Sequence, residues 1–186
     1  MTDLYTLPTD LPVPEDDGAA AHLAGRMLPQ LTLESSQGTV SLRELSQNRL
    51  VLYVYPRTGR PGEPAGPEWD AIPGARGCTP QSCAFRDHER QLAELGWRVA
   101  GLSAQPLDEQ VEFAERNHIP YPVIADPDRR LGAALELPTF EFRGRVLYKR
   151  ITLAVEGCAV SRVFYPVFPP DRNAEEVLAW LEARHV

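Results

Sequence analysis

Cysteine is scarce in this chain of 186 residues. The chain contains three, and so small and odd a number does not build the disulfide framework of a stapled secreted domain. The first residues also lack the basic stretch and apolar core of a secretory signal, so we expect none. Both absences favour a reducing compartment in which thiols stay free, and we expect a cytoplasmic protein.

Positive charge and long apolar runs are lacking too. The chain has 19 lysines and arginines against 26 aspartates and glutamates, which gives a formal net charge of −7. This balance argues against nucleic acid or an anionic membrane surface as the main partner. No apolar run approaches the roughly 20 residues of a membrane span, so we predict no membrane segment.

Two of the three cysteines, Cys78 and Cys83, lie five residues apart where a helix is predicted to begin, at 78–95. Pro80 suits a first helical turn because its missing N–H is not needed there, and Thr79 is the expected N-cap. A thiol in this place meets unpaired backbone N–H groups and the positive end of the helix dipole, which favour the reactive thiolate. The pattern predicts an oxidisable Cys78 with a second thiol to resolve the product; two ordinary buried cysteines are the alternative.

The spacing of these two cysteines constrains their chemistry. Residues five apart on an α-helix have Cα atoms about 8–9 Å apart, and a disulfide rarely tolerates more than about 7 Å. Cys78 and Cys83 therefore cannot bond while the helix is intact. Either the disulfide never forms, or the first turn unwinds when it does, which indicates a redox cycle with a conformational step.

Proline and glycine divide the chain into parts. Residues 1–22 contain several prolines and aspartates without helical or strand periodicity, and we interpret them as an extension of a single domain at 23–186. Within that domain, residues 57–76 alternate prolines with glycines, which predicts an inserted loop without regular structure. Long loops are often functional, and Trp69 and Ile72 are the predicted anchors of this one.

Apolar periodicity predicts alternating strands and helices in the rest of the domain. A continuous apolar run at 49–55 is typical of a buried central strand, and a turn signal at 35–38 predicts a hairpin. The other predicted elements are strands at 97–103 and 121–125, helices at 108–117 and 126–135 (the second capped by Asp126 to Asp128), a hairpin at 150–165 and a last helix capped by Asn173. This order predicts an α/β fold with parallel βαβ units and an antiparallel C-terminal hairpin.

These elements and several motifs resemble the peroxiredoxins, most closely the subgroup called bacterioferritin comigratory protein or Q type. The most specific motif is Gly-Cys-Thr-Pro-Gln-Ser-Cys-Ala-Phe-Arg-Asp at 77–87. Weaker motifs follow in the family's order: the opening hairpin at 25–42, Tyr-Val-Tyr-Pro at 53–56, Gly-Leu-Ser-Ala at 101–104, Asp-Pro-Asp at 126–128 and Lys-Arg-Ile-Thr-Leu at 149–153. Over about 24–184, the resemblance implies the thioredoxin-like fold of the AhpC/TSA-like group: a central mixed sheet flanked by helices, an N-terminal β-hairpin and, here, an inserted loop before the active-site helix.

The resemblance also implies a site and an activity. Cys78 would be the peroxidatic cysteine, Cys83 the resolving cysteine and Arg150 the guanidinium beside the thiolate. The implied reaction reduces hydrogen peroxide and small organic hydroperoxides through a Cys78 sulfenic acid, which Cys83 resolves as an intramolecular disulfide. Thioredoxin or a similar dithiol would reduce that disulfide, without a cofactor or metal, in a monomer or weak dimer. Three other arginines compete for the place beside the thiolate: Arg143, Arg145 and Arg162.

The chain departs from the family pattern in one place. The family has Pro-x-x-x-Thr-x-x-Cys in one tight loop, whereas Pro56 here precedes Cys78 by 22 residues and Ala75 stands where the threonine would be. The hydroxyl that orients thiolate and peroxide is therefore missing from that position. Thr58, just after Pro56, either folds back to supply it or is a solvated turn residue. The inserted loop itself is a lid or an interface.

Other functions and residues remain as alternatives. A thiol-disulfide oxidoreductase, a peroxide sensor, or a noncatalytic metal carrier on a thioredoxin-like scaffold would each use Cys78 and Cys83. The Cys-x₄-Cys spacing speaks against the oxidoreductase, which would have Cys-x-x-Cys. His88 could add a third metal ligand, but its spacing matches no common zinc site, and we expect a surface histidine. Cys158 lies in a predicted turn and is expected to be a spare cysteine.

Overall fold

The computed structural model describes residues 3–63 and 65–184. The strands are β1 (Thr32–Ser35), β2 (Gly38–Ser41), β3 (Arg49–Val54), β4 (Arg98–Ser103), β5 (Val123–Ala125), β6 (Thr139–Phe142), β7 (Arg145–Tyr148), β8 (Ile151–Glu156) and β9 (Ala159–Phe164). The helices are α1 (Leu42–Ser46), α2 (Pro67–Asp70), α3 (Cys78–Glu94), α4 (Leu107–Arg116), α5 (Arg130–Leu135) and α6 (Asn173–Ala183), and a 3-10 turn at Pro170–Arg172 precedes α6. None of these helices is long and apolar enough to cross a membrane.

A seven-stranded mixed sheet forms the centre of the fold, in the order β2-β1-β5-β4-β3-β8-β9. β3, β4 and β5 are parallel neighbours, and β1 and β8 join them antiparallel on either side. One apolar layer packs side chains of α3, α4 and α6 against the sheet, and a second layer packs α5 and the segment around Leu23 against its other face. The predicted α/β, thioredoxin-like fold with a central mixed sheet flanked by helices is confirmed.

β3 lies in the middle of this sheet, between β4 and β8. Its apolar run is buried because helices cover both faces, and the five residues after Arg49 have no exposed surface. Gly101 on β4 makes room for the ring of Tyr53, since a Cβ at that glycine would lie 2.7 Å from the ring. The predicted central strand is confirmed, and its Tyr53 stacks on Phe85 of α3 at a centroid distance of 4.6 Å.

The predicted hairpins are both present. β1 pairs antiparallel with β2 at one edge of the sheet, and β8 pairs antiparallel with β9 at the opposite edge. The helix predicted at 108–117 begins and ends one residue earlier, as α4. The helix predicted at 126–135 begins at Arg130, as α5, and its N-cap is Arg129 and not the predicted segment from Asp126 to Asp128. The Asp126 carboxylate nevertheless accepts the backbone N–H groups of Arg130 at 2.7 Å and Leu131 at 3.0 Å in the first turn.

Several local predictions are wrong or incomplete. Residues 57–76 are not free of regular structure, because Gly66 at φ +88° and Pro67 begin the one-turn helix α2. The hairpin of β6 and β7 was not predicted, although Arg143 and Gly144 form its turn with positive φ between two alternating segments. α1 was also missed, and Ser41 caps it by accepting the N–H of Glu44.

The inserted loop is fixed to the domain by a small apolar cluster of its own. Trp69 is 3% exposed and packs edge-on against Phe142 at a centroid distance of 5.0 Å, with Leu147 and Ala75 completing the buried cluster. Ile72 packs against the same group. The two predicted anchors, Trp69 and Ile72, therefore attach the loop to the β6–β7 hairpin, directly before α3.

Candidate active site

Cys78 is the first residue of α3 and lies at the inner end of the inserted loop. Its side chain is 3% exposed, and its Sγ lies 3.7 Å from the carbonyl oxygen of Ala75. Gly77, at φ +107°, is the N-cap. The predicted cap, Thr79, is instead a buried residue of the first turn, so that prediction is wrong. Pro80 stands in the first turn as expected.

Arg150 reaches Cys78 from the segment between β7 and β8. Its Nη2 donates to Cys78 Sγ at 3.3 Å, and the same nitrogen contacts the carbonyl oxygens of Ala75 and Arg76, both at 3.1 Å. Its Nε donates to Gly74 O at 3.2 Å and its Nη1 to Gln81 Oε1 at 2.5 Å. Backbone carbonyls of the inserted loop thus fix the plane of the guanidinium.

The charge of Arg150 has no acidic partner within the described ranges. The side chain is 3% exposed, and none of the ion pairs formed by residues 3–63 and 65–184 includes it. A buried cation is stable only when an anion or several strong dipoles face it. Carbonyl and amide oxygens supply the dipoles, so the group best placed to become the anion is the sulfur of Cys78.

A second layer of buried amides holds Gln81 against Arg150. Gln81 Nε2 donates to Asn173 Oδ1 at 3.0 Å, and Thr152 Oγ1 donates to the same oxygen at 2.7 Å. Asn173 is 1% exposed and is the first residue of α6; Arg172 is the N-cap, so the predicted capping role of Asn173 is wrong. These contacts could not be predicted from the sequence, because Gln81, Thr152 and Asn173 lie on three separate elements.

A small cavity lies over Cys78. It has a volume of about 30 Å³ and opens to solvent, and the side chains that line it include Leu4, Arg57, Thr58, Trp69, Arg76 and Thr79. A cavity needs roughly 10–15 Å³ of such volume to hold one water molecule. The space over the sulfur therefore accommodates a molecule of about two non-hydrogen atoms.

Thr58 lines this cavity and is 7% exposed. The alternative prediction, that Thr58 is a solvated turn residue, is therefore wrong. Its hydroxyl and its backbone N–H both donate to Gln105 Oε1, at 3.2 and 2.7 Å. Ser103 Oγ contacts the same oxygen at 3.3 Å and the carbonyl oxygen of Pro56 at 3.2 Å. Gln105 was not predicted from the sequence, where the only indication was a polar residue just past the end of a buried strand.

Cys83 lies on the same intact helix as Cys78, and both thiols are free. It is half-buried, and its Sγ lies 3.9 Å from Asn117 Oδ1. Burial raises the pKa of the Cys83 thiol above its usual range, and Asp87 adds to the rise, while Arg86 and Arg116 oppose it.

The remaining candidates lie outside this site. Cys158 stands at φ +67° in the turn between β8 and β9, where its Sγ lies 3.6 Å from Arg43 O. His88 pairs through Nδ1 with Gln91 Oε1 at 2.5 Å. Within 3–63 and 65–184, no three metal-ligating side chains lie together. Of the competing arginines, Arg143 forms a surface ion pair with Glu68 at 3.0 Å.

Comparison with known proteins gives a consistent result. The family model described as Redoxin matches residues 23–178. The chain is 26% identical over 186 residues to "Peroxiredoxin Q, chloroplastic" of Gentiana triflora, which covers 97% of this chain and 78% of that protein. It is also 26% identical over 161 residues to "Putative peroxiredoxin bcp" of Coxiella burnetii, which covers 84% of this chain and 97% of that protein.

Solved structures agree with the sequence relatives. The crystal structure of peroxidoxin BcpB from Mycobacterium tuberculosis is 26% identical and superposes with a TM-score of 0.69, over 86% of this chain and 96% of that one. The matched family model covers most of the chain and ends within α6. The chain therefore belongs to the redoxin family, as a peroxiredoxin of the bacterioferritin comigratory protein or Q subgroup.

Proposed function

We propose that Cys78 is the thiolate that performs this protein's thiol-dependent reduction of hydroperoxides, and that Cys83 resolves the product. A single observation carries the proposal: the buried guanidinium of Arg150, which has no carboxylate partner in the described part of the chain, lies 3.3 Å from Cys78 Sγ. The cation therefore faces the sulfur where the nucleophile of the reaction, a thiolate, is needed.

In the first step, the thiolate attacks one oxygen of the hydroperoxide and the O–O bond breaks. Cys78 is oxidised to a sulfenic acid, while the other oxygen leaves with the bonding electron pair and takes a proton to form water or an alcohol. Negative charge is spread over both oxygens as the bond breaks. Arg150 stabilises that charge from a fixed position. The backbone N–H groups of Cys78 and Thr79 contribute as well, because the hydrogen bonds within α3 begin only with Gln81 N–H, which donates to Gly77 O.

In the second step, the Cys83 sulfur attacks the sulfenic sulfur. An S–S bond forms and hydroxide leaves, which takes up the proton of Cys83 and departs as water. Because both cysteines lie on α3, their Cα atoms are about 8–9 Å apart, beyond the roughly 7 Å that a disulfide tolerates. The first turn of α3 must therefore unwind, and where the unwinding extends to Cys83 it also releases that thiol from the burial that raises its pKa.

Recycling needs an external thiol, since two electrons must return to the disulfide. We propose thioredoxin or a similar dithiol as the reductant and a monomer or weak dimer as the working form. The small, odd number of cysteines supports a reducing, cytoplasmic location, because it does not build a structural disulfide framework. Pro56 and Thr58 are proposed as supporting residues, because their loop borders the cavity and is tied to Gln105.

The test is intact mass and peptide mapping of the reduced full chain after one equivalent of hydrogen peroxide. We expect rapid loss of two hydrogens and a peptide in which Cys78 is joined to Cys83. Cys83→Ser should instead gain one oxygen at Cys78, and Cys78→Ser should not react. Cys158→Ser is the matched control and should behave as the wild type. Reaction of the wild type without oxidation of Cys78 would overturn the assignment.

A further inference from the structure

The described part of the extension packs beside the active site, and one arginine joins it to the inserted loop. Arg76 donates through Nη2 to the carbonyl oxygen of Asp3 at 2.7 Å, and through Nη1 to the carboxylate of Asp70 at 3.0 Å. Arg76 lies two residues before Cys78. The extension is therefore attached directly at the entrance to the thiol.

A local turn sets the direction of the residue that follows Asp3. The Asp3 carboxylate accepts the backbone N–H of Tyr5 at 2.9 Å and the hydroxyl of Thr6 at 2.5 Å, an arrangement that closes a tight turn around Leu4. Leu4 is half-buried at this turn and lines the cavity over Cys78. An apolar side chain of the extension thus forms part of the peroxide site.

Two glycines provide the space that the extension occupies. A Cβ on Gly59 would lie 3.1 Å from Leu4 Cδ2, and a Cβ on Gly77 would lie 2.9 Å from Leu7 Cδ2. A methyl group at Gly77 would overlap Leu7, and a methyl group at Gly59 would require Leu4 to move by a few tenths of an ångström. The two leucines therefore fit closely against bare backbone on both sides of the cavity.

The extension has further attachments downstream. Pro14 lies against Gly74, with 3.6 Å from the proline ring to the place of a glycine Cβ. The Asp17 carboxylate accepts from Lys149 Nζ at 2.6 Å and from the hydroxyl of Tyr165 at 2.8 Å. These contacts flank Arg150, so the extension runs along the whole active-site edge and is not attached at Leu4 alone.

The enclosed volume decides which peroxide fits. Leu4 borders the cavity of about 30 Å³ on one side and Trp69, fixed in its own apolar cluster, borders it on another, and the cavity opens to solvent. This volume holds roughly two waters, which is the size of hydrogen peroxide. An aryl or branched alkyl group on the hydroperoxide does not fit within this volume and must extend through the opening, past the wall to which Leu4 contributes.

We propose that Leu4 is a specificity-determining residue that makes Cys78 react faster with hydrogen peroxide than with bulky organic hydroperoxides. The proposal rests on the proposed role of Cys78 as the peroxidatic thiol. It names a substrate preference, and it gives the extension a function: the extension completes the wall of a site that the inserted loop builds only in part.

The test compares the rates at which the full-length reduced protein is oxidised by hydrogen peroxide and by cumene hydroperoxide. Stopped-flow tryptophan fluorescence is a suitable signal because Trp69 lines the cavity. Removing a few methylenes from a wall changes discrimination by about 10- to 200-fold. We expect Leu4→Ala to raise the rate constant for cumene hydroperoxide by about tenfold or more, with little change for hydrogen peroxide.

Two variants serve as controls. Val13→Ala shortens an apolar side chain of the same extension that is 63% exposed and should leave both rates unchanged. Leu4→Met keeps the volume of the wall and should keep the wild-type preference. Equal wild-type rates with the two peroxides, or a Leu4→Ala effect that is equal for both, would overturn the proposal. Loss of reaction with both peroxides in the wild type would instead remove the proposed function.

Discussion

Arg150 Nη2 lies 3.3 Å from Cys78 Sγ, although the two residues are 72 positions apart in the chain. The contact joins the segment before β8 to the first residue of α3. Four further hydrogen bonds to neutral oxygens hold the guanidinium in place. The cation is therefore oriented before the peroxide arrives, and no reorganisation is needed when charge develops on the oxygens.

The first prediction concerns Arg150. Arg150→Met should lower the rate constant for oxidation of Cys78 by hydrogen peroxide by about 10²–10³, the usual effect of removing one preorganised donor. Arg150→Lys keeps the positive charge but loses the rigid fork of guanidinium donors, so its rate constant should lie between those of the wild type and Arg150→Met. Stopped-flow oxidation of the reduced protein measures both.

Arg143→Met is the matched control, because the contacts of Arg143 are an exposed ion pair with Glu68 and a cation–π contact with the Phe142 ring at 5.0 Å, and neither involves the sulfur of Cys78. Exposed pairs contribute about 0–1 kcal/mol to stability, and the oxidation rate should not change. A control rate as low as that of Arg150→Met would show that general positive charge, and not the contact with the sulfur, accelerates the reaction.

The second prediction concerns Asn173. Asn173→Ala removes the oxygen that accepts from Gln81 and from Thr152, and leaves two buried donors unpaired. A buried unpaired group costs about 1–3 kcal/mol, so urea unfolding should show a decrease of at least that size. Because Gln81 then loses its orientation towards Arg150, the oxidation rate should fall as well.

An exposed asparagine provides the comparison for this variant. Asn48→Ala should change neither the unfolding free energy nor the oxidation rate. If Asn173→Ala lowered stability and left the rate of Cys78 oxidation untouched, the amide chain would be structural only and would not position Arg150.

The third prediction separates backbone strain from steric overlap at Gly77. Its φ is +107°, and a Cβ there would lie 2.8 Å from Pro170 and 2.9 Å from Leu7. Gly157 also has positive φ, at +56°, but nothing lies within 4 Å of its Cβ position. Gly157→Ala should cost about 1–2 kcal/mol for the left-handed backbone alone, and Gly77→Ala should cost clearly more in urea unfolding.

Gly77→Ala should also displace the extension, because its new methyl group takes the place of Leu7. Limited proteolysis at 3–17 should then be faster in Gly77→Ala than in Gly157→Ala. Equal unfolding free energies and equal cleavage rates in the two variants would contradict the close fit of Leu7 against Gly77.

The fourth prediction concerns the pH dependence of Cys83. Burial raises its pKa in the folded protein, so the folded state holds the thiol proton more tightly than the unwound state does. This contribution to the stability of α3 is fully present below the pKa of the unfolded thiol and is lost as the pH rises towards the folded pKa. Unwinding around Cys83, and with it disulfide formation, should become faster as the pH rises through that range.

The pH dependence of alkylation by iodoacetamide measures the pKa of the Cys83 thiol. In a Cys78→Ser, Cys158→Ser background, the midpoint for labelling Cys83 should lie above the roughly 8.5 of an ordinary thiol. The same protein in urea is the control, and its midpoint should return to the ordinary value. Identical midpoints in the two conditions would show that burial does not control the resolving thiol.

Much of the fold was predictable because its signals are local. The buried strand at 49–55, the two hairpins and the helix that begins at Cys78 were all predicted and are present as β3, β1–β2, β8–β9 and α3. Each depends on apolar periodicity or turn residues within a few positions. The β6–β7 hairpin escaped because its turn residues, Arg143 and Gly144, are a weaker signal than an Asn-Gly or Asp-Gly pair.

The residues that orient Arg150 could not be predicted in the same way. Gln81, Thr152 and Asn173 belong to α3, β8 and α6, and nothing in their sequence neighbourhoods connects them. They meet because α3 and α6 pack on the same face of the sheet. A polar side chain whose partner lies on another element has no periodic signature.

The sequence by itself determined the chemistry of this protein: two thiols five residues apart at a helix start, in an α/β chain with parallel βαβ units. Only the tertiary structure decided that Arg150, among the arginines near it in the chain, faces the sulfur. It also decided that Leu4 borders a cavity of about 30 Å³ over Cys78. The physical reason is the distance along the chain over which each effect acts. Secondary-structure propensity, capping and periodicity act over a few residues, whereas these contacts depend on the order of the strands in the sheet and on which surfaces the packed helices leave open.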